Sequence, residues 1–132
     1  MRFKSRNHGM NARKHIWLCF DCKSTWTTKS KKCPQCGSQR FQYFPSTAEY
    51  KRYCQLRLMQ NMGEISNLEL QPSYPCVIEG KKVTTYRADF KYSNSNGASV
   101  VEDVKGDETD VFKLKRKLVE ALYGITIKIV RA

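Results

Sequence analysis

Residues 86–106 read Tyr-Arg-Ala-Asp-Phe-Lys-Tyr-Ser-Asn-Ser-Asn-Gly-Ala-Ser-Val-Val-Glu-Asp-Val-Lys-Gly. Two runs rich in aromatic and β-branched residues flank a polar segment containing Gly97, which predicts a β-hairpin with a loop longer than two residues. Side chains alternate along a strand, so Arg87, Asp89 and Lys91 share one face of the first run, and Tyr86, Ala88, Phe90 and Tyr92 the other. The second run groups Val101, Asp103 and Lys105 in the same way. In the register that sets Asp89 opposite Asp103, Arg87 falls opposite Lys105, and two carboxylates gather beside an ammonium. Slipped by one residue, Asp89 meets Glu102 instead, because a slip inverts every side chain.

Two carboxylates that close repel unless a cation lies between them, and hard oxygen ligands suit Mg²⁺ or Mn²⁺. Lys105, two residues past the second acid, is placed to orient or deprotonate an attacking water, or to steady the charge on a phosphate. Asp89, at the end of Arg-Ala-Asp, and Asp103-Val104-Lys105 resemble the paired acid and acid-x-lysine motif of the PD-(D/E)XK nuclease superfamily, with Ala88 where that motif has proline. The resemblance implies a metal-dependent DNA endonuclease binding one or two Mg²⁺ or Mn²⁺ through Asp89, Asp103 and the Val104 carbonyl. Lys105 would position the water, and in-line attack would leave a 5′-phosphate. The competing reading of these residues is a hairpin with solvated charges.

Working outward, Ser46 followed by Glu49 fits a capping box. Tyr50, Tyr53, Cys54, Leu58 and Met62 recur at helical spacing until Gly63 stops the helix. Glu49 carries two readings, a cap that bonds back to Ser46 or, by the resemblance, a helix acid that reaches the metal site. Ile65 to Gln71 reads as a strand, after which Pro72 and Pro75 break the pattern. Gln71 is either a strand-end amide meeting solvent or a group holding water or phosphate near the acids. Strand pieces at Cys76 to Ile78 and Val83 to Tyr86 flank a turn over residues 79–82. Past the central hairpin, Thr109 or Asp110 caps a helix that runs to Tyr123 and stops at Gly124, with Leu114, Leu118, Ala121 and Leu122 inside. Its outer face shows Lys113, Arg116 and Lys117, with Lys115 beside them. Ile125 to Val130 closes as a buried strand. Helix, three strands, helix, strand is the α-β-β-β-α-β order of the superfamily, and Val-Glu-Asp-Val-Lys-Gly before a Lys-Arg-Lys helix is similar to small phage nucleases related to Holliday-junction resolvases.

Upstream, Cys19-Phe-Asp-Cys22 and Cys33-Pro-Gln-Cys36 are two Cys-x-x-Cys knuckles separated by ten residues. Four thiolates so arranged surround one Zn²⁺ tetrahedrally and leave no open position, so the expected role is structural. Alternation in Ile16 to Leu18, Ser24 to Thr28 and Arg40 to Tyr43 predicts a small β ribbon, and residues 16–44 resemble the zinc ribbon. Disulfides are the rival explanation of the cysteines. Trp17, Trp26, Phe41, Tyr43 and Phe44 either pack around the ribbon or stack on bases. Cys54 and Cys76 read as small core residues, and His8 and His15 as ordinary polar residues.

The chain of 132 residues carries 24 Lys and Arg against 12 acids, a formal net charge of +12. Residues 1–44 hold ten of the basic residues and one acid, Asp21, so the front third is the electrostatic handle. Nucleic acid is the expected partner of so basic a chain, and no apolar run is long enough to span a membrane. The start lacks a secretory apolar core, so the expected location is cytoplasmic, in a bacterial host if phage-encoded. The expected organisation is a basic arm over 1–15, a zinc ribbon over 16–44 and an α+β nuclease-like domain over 45–132. Arg13, Lys14, Lys23, Lys31, Lys32, Arg40, Lys113, Lys115, Arg116 and Lys117 are the candidate contacts to DNA, branched DNA such as a Holliday junction by the resemblance, with a homodimer expected. The rival function is a zinc-ribbon adaptor that binds nucleic acid without cutting it.

Overall fold

A computed structural model of the chain describes residues 15–132. The expected basic arm, with Arg13, Lys14 and His8, lies outside the described residues except for His15. The chain divides into two compact units, up to Tyr53 and from Cys54 onward.

The first unit holds β1 (Ile16–Cys19), β2 (Thr25–Trp26) and β3 (Phe41–Phe44) in one antiparallel sheet of order β2-β1-β3. Helix α1 (Thr47–Asn61) begins in this unit and ends in the second. Ser46 Oγ accepts from the Glu49 N–H at 3.2 Å, which satisfies one of the orphan donors of the first turn. Phe44 is buried and sits 5.5 Å from the Tyr50 ring and 5.1 Å from the Tyr53 ring, so α1 covers the Phe44 face of the ribbon. The apolar face of α1 differs from the expected one. Tyr53 is buried as expected and Leu56 is buried as well, while Cys54, Leu58 and Met62 are exposed.

The second unit is mixed α and β. A four-stranded sheet of order β4-β7-β8-β9 is built from β4 (Ser66–Leu70), β7 (Phe90–Ser93), β8 (Ser99–Lys105) and β9 (Ile127–Arg131). The first three strands run antiparallel and β9 lies parallel to β8. Parallel neighbours need a crossover, and α2 (Asp110–Tyr123) supplies it. Thr109 Oγ1 accepts from the Phe112 N–H at 3.1 Å, and Gly124 closes the helix at φ +66°, as the sequence predicts.

Between β4 and β7 in chain order comes a separate two-stranded sheet, β5 (Ser73–Ile78) with β6 (Lys81–Arg87). Pro75 lies inside β5 rather than ending it, which an edge strand permits because a missing N–H there breaks no inner ladder. The turn is the pair Glu79-Gly80, at φ +49° and +80°, the left-handed geometry of a two-residue hairpin.

This hairpin corrects the central expectation. Residues 86–92 do not form one strand; the chain leaves β6 at Arg87, bends through Ala88 and Asp89, and enters β7 at Phe90. Arg87 pairs with Ser73, not with Lys105. The alternation is also reset at the bend. Tyr86 and Ala88 join a core with Tyr74, Cys76, Val101, Val119 and Ile127, on the face that α2 covers. Phe90 and Tyr92 belong to the opposite face, with Glu102.

Inside α2 the buried position is Val119, with Phe112 and Leu118 packed against the same core. Leu114 is 68% exposed, and Ala121 and Leu122 are also exposed, so the expected inner stripe is rotated by about one residue. Cys76 is buried in this core as expected.

Candidate functional site

Register decides the acid site. Phe90 lies opposite Glu102, Lys91 opposite Val101 and Tyr92 opposite Val100. Continued by one step, that ladder sets Asp89 against Asp103. Asp89, just before β7, is held by its backbone: its N–H donates to the Glu102 carbonyl at 3.1 Å, and its carbonyl accepts from the Gln71 N–H at 2.9 Å. Its carboxylate Oδ2 accepts from the Val104 N–H at 2.7 Å. Gln71 therefore ties the bend in place through its main chain, at φ +51°.

Asp103 is 1% exposed in the middle of β8. The Tyr86 hydroxyl donates to its Oδ2, and Asp103 shares a further hydrogen bond with Asp89. Burial pushes the Asp103 carboxyl up, and the hydrogen bond and charge of Asp89 push it further. Tyr86 and the Lys105 charge pull the other way, leaving it at about 7. Burial and the bond to Asp103 likewise raise Tyr86. Two acids this close coexist by holding a proton between them or a cation in its place. Lys105 Nζ sits over the Phe112 ring, 4.6 Å from its centroid, which fixes the ammonium near the pair.

Glu102, the neighbouring acid, faces away. It is 0% exposed, accepts from the Tyr92 hydroxyl, and lies 4.0 Å from Lys128 Nζ. Tyr92 and Lys128 also line a cavity of about 440 Å³ with Met59, Ile65 and Asn94. Asp89, Asp103 and Lys105 are thus gathered, and Glu102 is not among them. Glu49 lies in the first unit, where its amide is engaged by Ser46.

Sequence reasoning missed Tyr86 and Phe112 as supports of this site. Tyr86 reads as one more apolar-face aromatic until the bend at Ala88 and Asp89 turns it toward Asp103. Arg116 was expected to face outward; instead it pairs with Glu108 at 3.5 Å and lies over Phe112, 5.9 Å from the ring centroid. Glu108 also binds Arg131 at 3.1 Å. Lys113 and Lys117 remain exposed and Lys115 half-buried.

The second candidate site is the cysteine cluster. Cys19 Sγ lies 3.6 Å from Cys36 Sγ, Cys22 Sγ 3.6 Å from Cys33 Sγ, and all four sulfurs fall within 4.8 Å of one another. A tetrahedron with 2.3 Å metal–sulfur bonds has edges of about 3.8 Å, whereas bonded sulfurs lie about 2.0 Å apart. All four are free thiols, so the spacing fits a shared metal ion and not a disulfide. Backbone N–H groups of Cys22, Gln35 and Cys36 point at Cys19 and Cys33 sulfurs at 3.3–3.5 Å, the contacts that tighten each knuckle. Burial pushes the Cys33 thiol up, but the Ser24 hydroxyl and the Cys36 and Gln35 amides outweigh it and bring it down to about 6. At Cys36 the Ser38 amide lowers the thiol, yet burial and the other three sulfurs push it up to about 12. Four thiolates gathered this closely would need a cation to share. The set can hold a metal ion and is compatible with structural zinc.

The chain belongs to the DUF1064 family. The family model, described as a protein of unknown function, matches residues 38–131. The DUF1064 match takes in β3, α1 and every element of the second unit, including Asp89, Asp103 and Lys105; both knuckles lie wholly ahead of it. No curated protein and no solved structure matches the chain. Among the described residues, no helix is long and apolar enough to cross a membrane.

Proposed function

We propose that the chain is a metal-dependent DNA endonuclease of the PD-(D/E)XK type, acting on branched DNA such as Holliday junctions. The observation that carries this reading is the meeting of Asp89, Asp103 and Lys105 on one side of the bend before β7. The element order supports it as well. With the β5–β6 hairpin set aside as an insertion, α1, β4, β7, β8, α2 and β9 follow the α-β-β-β-α-β order, with the last strand parallel to its neighbour.

The donor set fits a hard divalent ion: two adjacent carboxylates, one of which otherwise needs a proton near pH 7. Asp89, Asp103 and the Val104 carbonyl would hold Mg²⁺ or Mn²⁺, and the ion would neutralise charge building on the phosphate. Val104 N–H keeps the Asp89 carboxylate in place, and Tyr86 does the same for Asp103. Lys105 orients the water that attacks phosphorus, and that water's proton passes to solvent. The P–O3′ bond breaks, the phosphate stays on the 5′ side, and the 3′ oxygen leaves with a proton from solvent. The four cysteines hold one structural Zn²⁺, and Lys113, Lys115, Lys117, Lys23, Lys31 and Lys32 grip phosphates without reading bases. A symmetric dimer cuts two strands of a junction. Glu49 stays in the first turn of α1 in this account, its N–H donating to the Ser46 cap.

Cleavage of a labelled four-way junction with and without Mg²⁺ tests the reading. Wild type should cut only with the ion, Asp89→Ala and Lys105→Ala should lose at least about a hundredfold in rate, and all three should bind the junction. Equal rates in the three proteins, or none in any, would refute it. One observation favours the adaptor reading instead: Asp103 is almost wholly enclosed and already engaged by Tyr86. That reading expects binding by all three proteins and cleavage by none.

A further inference from the structure

The ribbon sorts its aromatic residues onto two faces. Cross-strand partners share a face, and residues two apart along a strand share it as well. Leu18 and Phe44 are buried, with Phe44 packed on Tyr50 and Tyr53. The opposite face carries Trp26, Trp17 and Tyr43 in a row across β2, β1 and β3, since Trp17 pairs with both neighbours. Phe41 joins them from two residues before Tyr43.

All four rings keep part of their surface open in the folded chain. Trp17 and Tyr43 have ring centroids 5.0 Å apart, and Trp26 meets Phe41 edge-on at 5.6 Å. The exposed His15 extends the row, its Nδ1 lying 2.7 Å from the Tyr43 hydroxyl, a contact that fixes the tyrosine ring. The loops at the edge of this sheet carry Lys23, Lys29, Lys31 and Lys32, all exposed, while Asp21 is occupied by Arg40 at 2.5 Å and by Ser38. Four large rings thus keep part of their surface open beside exposed lysines, of which Lys23 donates to the Phe20 carbonyl at 2.7 Å.

We propose that this face is a binding surface for single-stranded nucleic acid, with bases stacking on Trp17, Tyr43 and Trp26 and phosphates held by the loop lysines. Base π-faces are available to side chains only where the strand is unpaired, and each stacked base tolerates any sequence. The surface shares no residue with the acid site and needs no cleavage to operate. On a branched substrate it would take an unpaired arm.

The chain has two tryptophans, Trp17 and Trp26, and both lie on this face, so intrinsic fluorescence reports on it directly. The 132-residue chain is titrated without Mg²⁺ with a twelve-residue oligo(dT), oligo(U) of the same length, a duplex of that length, and vesicles of anionic lipid. The proposal expects strong quenching by at least one single strand, weak quenching by the duplex, and a roughly tenfold weaker single-strand affinity in Trp17→Leu and in Tyr43→Leu. Quenching by oligo(dT), by oligo(U) or by both supports it and names the sugar recognised. No quenching by either strand, equal quenching by the duplex, or a response confined to vesicles overturns it. The wild-type comparison stands even where a variant fails to fold.

Discussion

Phe90 lies opposite Glu102 in the β7–β8 ladder, and that pairing decides which of two consecutive acids joins Asp89. Glu102 goes to one face with Tyr92 and Lys128; Asp103 goes to the other with Tyr86 and Asp89. The two acids should therefore behave differently on substitution. Glu102→Gln should leave junction cleavage within a few-fold of wild type while lowering stability by about 1–3 kcal/mol, since the buried acceptor of the Tyr92 hydroxyl is exchanged for an amide. Asp103→Asn should abolish cleavage. Rates and urea unfolding of the two variants check this together.

Asp103 also predicts a pH dependence. Its carboxyl is raised from 3.8 to about 7 by burial and by Asp89, so the fold favours the protonated acid. The stability this contributes is complete below about pH 4 and is lost as pH rises through about 7, at most roughly 4 kcal/mol. Thermal unfolding in chelator should show that decline, Asp103→Asn should lack it, and added Mn²⁺ should restore stability on the alkaline side.

Removing one thiol from the cysteine cluster should empty it. Cys22→Ser and Cys36→Ser keep the side-chain size, yet each would leave only three sulfurs to hold an ion. Zinc content measured by elemental analysis should fall from one per chain to near zero, and tryptophan emission should shift to the red as the ribbon loosens.

The rotated face of α2 is testable by size alone. Val119→Ala should destabilise by about 2 kcal/mol, because it empties space in a core with Tyr86 and Val101. Leu114→Ala, at a position 68% exposed, should change stability by less than about 0.5 kcal/mol. Denaturant midpoints separate the two.

Much of this architecture is legible in the chain itself. The knuckles, the Thr109 and Gly124 helix boundaries and the acid-x-lysine strand depend on local rules, and each appears where those rules put it. The bend at Ala88 and Asp89 was not legible, because alternation continues unbroken through residues 86–92 while the pairing partner changes from β5 to β8. Partner exchange is a tertiary event, so Tyr86 could not be assigned to Asp103 from its spacing. The faces of α1 and α2 were misjudged for a related reason. Both sequences offer more apolar positions than one stripe needs, and what the helix packs against makes the choice.

The central claim is that Asp89 and Asp103 together hold a divalent ion beside Lys105. A crystal grown with Mn²⁺ and measured at an energy where manganese scatters anomalously tests it directly. The account predicts an anomalous peak within bonding distance, about 2.2 Å, of both carboxylates. Well-ordered Asp89 and Asp103 side chains with no peak between them, at millimolar Mn²⁺ and pH above 7, would contradict it.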